Sequence, residues 1–169
     1  MALFLGSYAN KVDRKGRVSV PAQFRAALAG QLFNGIVAFP SFKEPNIEAY
    51  SEGDMARLAE SLEQLDQFSQ ERDDLALIFA DSLQLGFDGE GRIMLPQSFA
   101  DHAGITDSAL FVSAVDHFQI WSPETYARKK TGARERLHAN GATLRVRPSG
   151  GVSGNGSSGP TGGGPAGVR

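Results

Sequence analysis

The densest group of side chains able to do chemistry is Asp13-Arg14-Lys15-Gly16-Arg17, with Lys11 two residues before the aspartate. Four cations around one carboxylate, with no nucleophile among them, suit contact with a polyanion better than bond breaking. Arg17 has the planar fork that fits O6 and N7 of guanine, while Lys15 is a point charge suited to a phosphate or a base acceptor. Either could read a base. Arg25, a little further along, is another candidate for phosphate-backbone contact. Other chemistries find little support. There is no cysteine, which excludes disulfide, zinc-ribbon and thiol chemistry. His102, His117 and His138 stand 15 and 21 residues apart, a spacing that matches no local metal site. The two Gly-x-Gly-x-x-Gly matches, at 154–159 and 162–167, lie in the glycine-rich tail rather than between a strand and a helix, no His-Glu-x-x-His occurs, and Asp73-Asp74 sits where a helix N-terminus would welcome negative charge. The expectation is a protein without catalytic activity, metal or cofactor.

The cationic segment has a second copy. Residues 12–24, VDRKGRVSVPAQF, align with residues 87–99, FDGEGRIMLPQSF, at an offset of 75. Asp13 falls on Asp88, Gly16 on Gly91 and Arg17 on Arg92. A second block agrees in the same order at an offset of 71, with Asn46-Ile-Glu-Ala-Tyr-Ser51 over His117-Phe-Gln-Ile-Trp-Ser122. Two such agreements indicate an internal duplication, with too few copies for a solenoid. The copies differ where it matters for a polyanion: Arg14 becomes Gly89 and Lys15 becomes Glu90. A phosphate-facing surface would not centre on Glu90, so the first copy is expected to face the polyanion and the second to serve as scaffold. Asp13, Gly16, Asp88, Gly91 and Arg92 are assigned to the turns themselves, each aspartate positioned to pair with its arginine.

The elements that must hold these turns are legible from pattern. An extended stretch (Leu3 to Val12; Leu83 to Phe87) leads into Asp-x-x-Gly, a tight hairpin signal, and Val18–Val20 or Ile93–Leu95 leads out as a strand. Pro21 and Pro96 are expected in the first turn of a short helix that stops at Gly30 or Gly104. Two further strands follow, Gly35–Phe39 with Ile47–Tyr50, and Ala109–Val112 with Phe118–Trp121. The half-unit therefore reads as β-hairpin, short helix, β-hairpin. Ser51 and Ser122-Pro123-Glu124 are helix starts. Met55, Leu58, Leu62, Leu65 and Phe68 keep helical spacing, and a second amphipathic run extends from Asp73 to Leu83. The helix over 123–139 is basic, with few apolar anchors.

Charge is segregated along the chain although the formal net charge is only −2. Residues 1–43 carry six Lys/Arg against one acid, 44–101 carry 14 acids against three arginines, and 102–169 carry eight basic residues against four acids. That asymmetry fits a polyanion-facing patch balanced by an acidic surface, or ordinary solvated faces. No apolar run approaches the length of a bilayer span, and Met1–Leu5 is too short for a secretory h-region, so a soluble cytoplasmic protein is expected. Nine of the 22 residues over 148–169 are glycine, and a flexible extension is expected there.

The two Asp-x-x-x-Arg segments, each followed by a hydrophobic strand and a proline, resemble the MraZ family, within the AbrB/MazE-like superfamily of SpoVT-AbrB type. The opening from Gly6 to Arg25 is especially similar to that family's signature, and the resemblance covers residues 3–140. It implies an α+β fold: two tandem AbrB-like swapped-hairpin repeats forming an intrachain pseudo-dimer, like a double-split β-barrel, with flanking helices. The first repeat would span 3–50, linking helices 51–78, the second repeat 79–122 and a C-terminal helix 123–140, before the tail at 148–169. It further implies a nucleoid-associated transcriptional repressor of a bacterial division and cell-wall gene cluster, its own gene included. Such a protein would bind short direct repeats in promoter DNA as a homo-oligomeric ring, with no membrane or small-molecule substrate. Lys11, Arg14, Lys15, Arg17 and Arg25 are the DNA-binding candidates. The alternative is an antitoxin-like or other protein-interaction module on the same fold.

Overall fold

Apolar residues two apart turn one side of each strand into a common core, and the chain builds this pattern twice. The computed structural model describes residues 2–148. The extension expected to be flexible lies outside them apart from Pro148. The first half contributes β1 (Ser7–Lys11), β2 (Arg17–Ser19), α1 (Ala22–Ala27), β3 (Gly35–Pro40), β4 (Ile47–Tyr50) and α2 (Glu52–Glu63). After α3 (Gln70–Ala80) the series returns as β5 (Leu83–Gly86), β6 (Arg92–Met94), α4 (Gln97–Ala103), β7 (Ser108–Ser113), β8 (Phe118–Trp121) and α5 (Pro123–Asn140).

The strands form an antiparallel six-stranded sheet in the order β1-β7-β8-β4-β3-β5, with β2 and β6 paired as a separate ribbon. The order reads the same from either edge when the halves are exchanged. Each outer strand belongs to one half and pairs with the other: Ser7 lies opposite Val112, and Gly35 opposite Gly86. At the centre, Glu48 lies opposite Gln119 and Val18 opposite Ile93, residues that the duplication aligns.

One side of the sheet, the ribbon and helices α1 and α4 enclose the core. Phe4, Val18, Val20, Phe24, Ile36, Ile47, Ile93, Phe111, Phe118 and Ile120 are all buried there. The rings of Phe24 and Phe118 lie 4.9 Å apart, and Phe4 meets Phe24 edge-on at 5.4 Å. Each such ring contributes about 1.5–3 kcal/mol through burial, so this cluster is where the two halves are fastened together.

Several local expectations need correction. β3–β4 and β7–β8 are hairpin ladders, but β1 and β2 meet only at a Val12–Val18 bridge. Each leaves the turn to take a partner from the other half, because that is where the apolar face of Val18 finds Ile93. Pro21 and Pro96 sit at the N-cap rather than inside the first turn, with ψ of 136° and 141°. Helix α1 ends at Ala27, since Leu28 dives into the core, and Gly30 (φ +93°) lies beyond the cap. Gly104 does close α4, in the left-handed conformation. Helix α2 stops at Glu63, which leaves Leu65 and Phe68 outside it. There the Asp66 carboxylate accepts from the Phe68 N–H at 3.0 Å, and the Ser69 hydroxyl then caps α3. Leu83 opens β5 instead of ending α3. The Ser51 hydroxyl caps α2 by accepting from the Asp54 N–H at 3.1 Å.

Candidate nucleic-acid interface

Both turns are built by one aspartate. In the first, Asp13 Oδ1 accepts from the backbone N–H of Lys15 (2.9 Å) and of Arg17 (2.8 Å), and Oδ2 accepts from Arg17 Nε at 2.7 Å. The backbone closes with Asp13 N–H to Arg17 O at 2.9 Å and Gly16 N–H to Asp13 O at 3.0 Å. The Arg17 N–H, then its guanidinium and the Lys15 N–H, hold the Asp13 carboxyl below the usual carboxylate range. Gly16 has φ +84°, a conformation costly for any residue with a Cβ. Arg14 and Lys15 stand exposed at the tip, Lys11 is exposed at the end of β1, and Arg17 keeps a third of its side chain in solvent.

The second turn repeats the geometry within 0.1 Å: Asp88 Oδ1 accepts from the N–H of Glu90 and Arg92 at 2.9 Å, and Oδ2 from Arg92 Nε at 2.8 Å. The Arg92 N–H leads the same lowering of the Asp88 pKa. Its tip differs. Gly89 offers no side chain, and Glu90 places a carboxylate 3.6 Å from Arg92 Nη1. The bond to Asp88, helped by the charge of Glu90, raises the pKa of Arg92. One turn therefore carries net positive charge, with three cations against Asp13, and the other net negative charge, with Asp88 and Glu90 against Arg92.

The ribbon sets the turns at its opposite ends, with Arg17 beside Met94 and Arg92 beside Ser19. It also ties each turn to the other half: Leu95 N–H donates to Gly16 O at 2.8 Å, and Val20 N–H to Gly91 O at 3.1 Å. Lys11, Arg14, Lys15 and Arg17 thus share one corner, and Arg25 does not. Arg25 Nε donates to Val20 O at 3.1 Å, and its guanidinium lies against Gly91, in a cleft of about 420 Å³ that Asp88 and Gly89 also line. The corresponding cleft at the first turn, about 360 Å³, brings Asp101 and Asp107 beside Asp13 and Arg14. No local spacing in the sequence signals those two acids. Asp107 arrives through the pairing of β1 with β7, and Asp101, on α4, through that of β2 with β6.

The turns are repeated in sequence, in hydrogen bonding and in their place on the ribbon. A family model described as "MraZ protein, putative antitoxin-like" matches residues 3–74 and again 78–145. The chain belongs to the MraZ family. Two curated relatives, each named "Transcriptional regulator MraZ", come from Rickettsia canadensis (strain McKiel) and Rickettsia typhi (strain ATCC VR-144 / Wilmington). They are 44% and 43% identical over 146 residues, covering 86% of this chain and 98% of each relative. Among the described residues no helix is long and apolar enough to cross a membrane.

Where the two MraZ repeats meet at the middle of the sheet lies a polar cluster that motif reading passes over. His117 Nε2 sits 2.9 Å from Glu48 Oε2, and Nδ1 sits 2.8 Å from Asp116 Oδ1. The Tyr50 ring stacks on the imidazole at 4.2 Å. Burial opposes charge on His117, but its bonds to Glu48 and Asp116 outweigh that and raise its pKa. The same bond from His117 lowers the pKa of Asp116. The signal available was the alignment of Asn46 with His117 and of Glu48 with Gln119 in the second repeated block. This cluster joins the two MraZ repeats through the bonds of His117 and Gln119 to Glu48.

Proposed function

We propose that the protein is a sequence-specific DNA-binding transcriptional regulator whose contact surface is the first turn. One observation carries this reading. Two turns of the same construction differ at their tips, and Arg14-Lys15 stand exposed where the other turn has Gly89-Glu90. With Lys11 and Arg17 they form a compact cationic corner fit for phosphates and base edges. The relatives' printed name supports regulation of transcription. In this reading Asp13 and Gly16 shape the contact turn, and Asp88, Gly91 and Arg92 keep the second turn as scaffold. Arg25 braces that scaffold and contributes to DNA only through a nearby phosphate.

The repeats over 3–50 and 79–122 are then an AbrB-like swapped-hairpin pseudo-dimer, with 51–78 and 123–140 as its helices. The protein represses a division and cell-wall gene cluster that includes its own gene, in the cytoplasm on the nucleoid. A single turn is a small footprint, so one copy binds weakly. A homo-oligomeric ring repeats the turn at fixed spacing, and linkage raises affinity by roughly 10²–10⁴ without a new contact type. Short direct repeats in the promoter are the matching target.

The test is a gel-shift series on the DNA upstream of the protein's own gene, with one, two and more repeats. Affinity should climb with repeat number. Lys15→Ala and Arg17→Ala should lose most binding, and Arg92→Ala less. Equal binding by all variants, or indifference to repeat number, overturns the proposal.

A further inference from the structure

The β2–β6 ribbon has two faces. Val18 and Ile93 turn inward to the core, and Arg17, Met94, Ser19 and Arg92 turn outward. On the outer face each arginine has one cross-strand neighbour, and the duplication aligns those neighbours with each other: Met94 beside Arg17, and Ser19 beside Arg92. Met94 is the one apolar side chain of the four, and it is 52% exposed. Its Sδ lies over the first turn, 3.8 Å from where a Cβ on Gly16 would stand. The core gains nothing from a thioether on this face. Among the described residues Arg17 donates its side-chain bond through Nε, to Asp13, which leaves its two terminal nitrogens for a base edge. The cationic corner thus has an apolar member placed against it.

We propose that Met94 reads the 5-methyl group of a thymine in the major groove, on the base pair next to a guanine contacted by Arg17. The inference rests on the first turn being the DNA contact proposed above, and it names a second base that the corner selects. A two-stranded ribbon fits the major groove, where thymine presents a methyl group that the other bases lack. Directly opposite residues of such a ribbon hold their Cβ atoms about 4.5–5.5 Å apart, and neighbouring base pairs stack about 3.4 Å apart. Long side chains at the two positions therefore fall on adjacent pairs. Methionine is flexible and polarisable, and adapts its thioether to a methyl group. The setting selects nucleic acid as the occupant. A protein seated on Met94 would also cover Arg17 and the exposed Lys15, at the desolvation cost of burying charge, whereas DNA meets the cations with phosphates and base acceptors and the thioether with a methyl. At the other end of the ribbon Ser19 offers no comparable apolar surface and Glu90 repels phosphate, so the methyl contact belongs to the first turn.

The test measures binding of the full chain, by fluorescence anisotropy, to duplexes from upstream of its own gene in which deoxyuridine replaces thymidine one position at a time. The exchange removes the 5-methyl group and keeps the pairing edge. Wild type should lose about fourfold at one thymine beside a guanine, the effect of returning one methyl group to water. Met94→Ser, which gives the first turn the neighbour that the second has, should bind the thymine duplex about fourfold more weakly and lose nothing further on deoxyuridine. Met94→Leu should keep the preference. Circular dichroism and light scattering follow the fold and mass of both variants. Indifference of wild type to every exchange, or the same loss in Met94→Ser as in wild type, overturns the inference. A changed mass in Met94→Ser would assign the residue to a contact between copies and overturn it too. Lys15→Ala separates this outcome from the reading beneath it. If Lys15→Ala binds weakly while deoxyuridine changes nothing for wild type, the role of Met94 alone falls; if Lys15→Ala binds as tightly as wild type, the first turn is not the contact surface and both fall.

Discussion

The turn at Asp13 and the turn at Asp88 have the same hydrogen bonds, the same left-handed glycine and the same arginine, and opposite electrostatic character. The architecture of the turn resides in Asp, Gly and Arg, whereas its charge resides in the two residues between aspartate and glycine. Only the second of those positions lends the turn a backbone N–H, and the turn's hydrogen bonds use neither side chain. Duplication therefore yielded two identical mounts, of which one carries cations.

Exchanging the tips would strike this comparison hardest. Arg14→Gly/Lys15→Glu, which gives the first turn the tip of the second, should weaken promoter binding roughly a hundredfold and flatten its salt dependence. The reverse exchange, Gly89→Arg/Glu90→Lys, should leave the turn folded by the same bonds. Anisotropy titrations across salt concentrations measure both. Unchanged binding by the first variant would erase the distinction between the turns.

Next come the glycines. Alanine at Gly16 or Gly91 should cost about 1–2 kcal/mol in urea unfolding, the penalty for a Cβ in the left-handed region. The surroundings then separate the two. A Cβ at Gly91 would come within 2.4 Å of Arg25 Cζ, so Arg25→Ala in the same chain should recover part of the loss. At Gly16 the neighbour is the Leu95 carbonyl at 3.2 Å, and no side-chain deletion relieves it. Equal responses at the two sites would mean that the turns share surroundings as well as bonds.

A smaller contrast lies at the helix starts. Ser51→Ala should cost about 1 kcal/mol, since it removes an acceptor for a helix N–H. Ser122→Ala should cost less, because that hydroxyl donates to Glu124 Oε2 at 2.8 Å and caps no backbone group. Chemical denaturation of the two variants side by side gives the order.

The smallest effect concerns pH at the centre of the sheet. His117 is paired with Glu48 and Asp116, while its aligned partner Asn46 is buried with one oxygen unpartnered. The pKa of His117 is raised on folding, so its stabilisation is complete below the unfolded value of about 6.5 and is lost as pH rises through the folded value. Asp116 works in the other direction: its lowered pKa stabilises above about 3.9 and fades as pH falls. The melting temperature of wild type minus that of His117→Gln should therefore be greatest in mildly acidic solution and shrink on the alkaline side. A pH-independent difference would show that the ring packs without its charge mattering.

Local features were legible in the residues, and long-range pairing was not. Asp-x-x-Gly announced both turns, and Ser51 announced its cap, because those signals act within four residues. The boundaries of α1 and α2 went wrong where the core overrode pattern: Leu28 is drawn inward and ends α1 before Gly30, and Asp66 folds back on Phe68 before the leucine spacing runs out. Arg25, on the helix that follows the first turn, reads in sequence as a candidate for phosphate-backbone contact beside that turn. The β2–β6 ribbon carries it to the other turn. Glu48 and His117 were invisible as a pair because only the joining of β4 to β8 brings them together.

Tyr8, near the start of the chain, lies opposite Phe111, whereas the edge strand on the far side, β5, pairs with β3, which precedes it in the chain. During synthesis β1 has no mate until most of the polypeptide has left the ribosome. Contacts so remote in sequence are slow to form, and the emerging amino-terminal portion must stay soluble without its completed sheet. Cutting the gene between the repeats should therefore give two fragments that each aggregate alone and recover structure when expressed together.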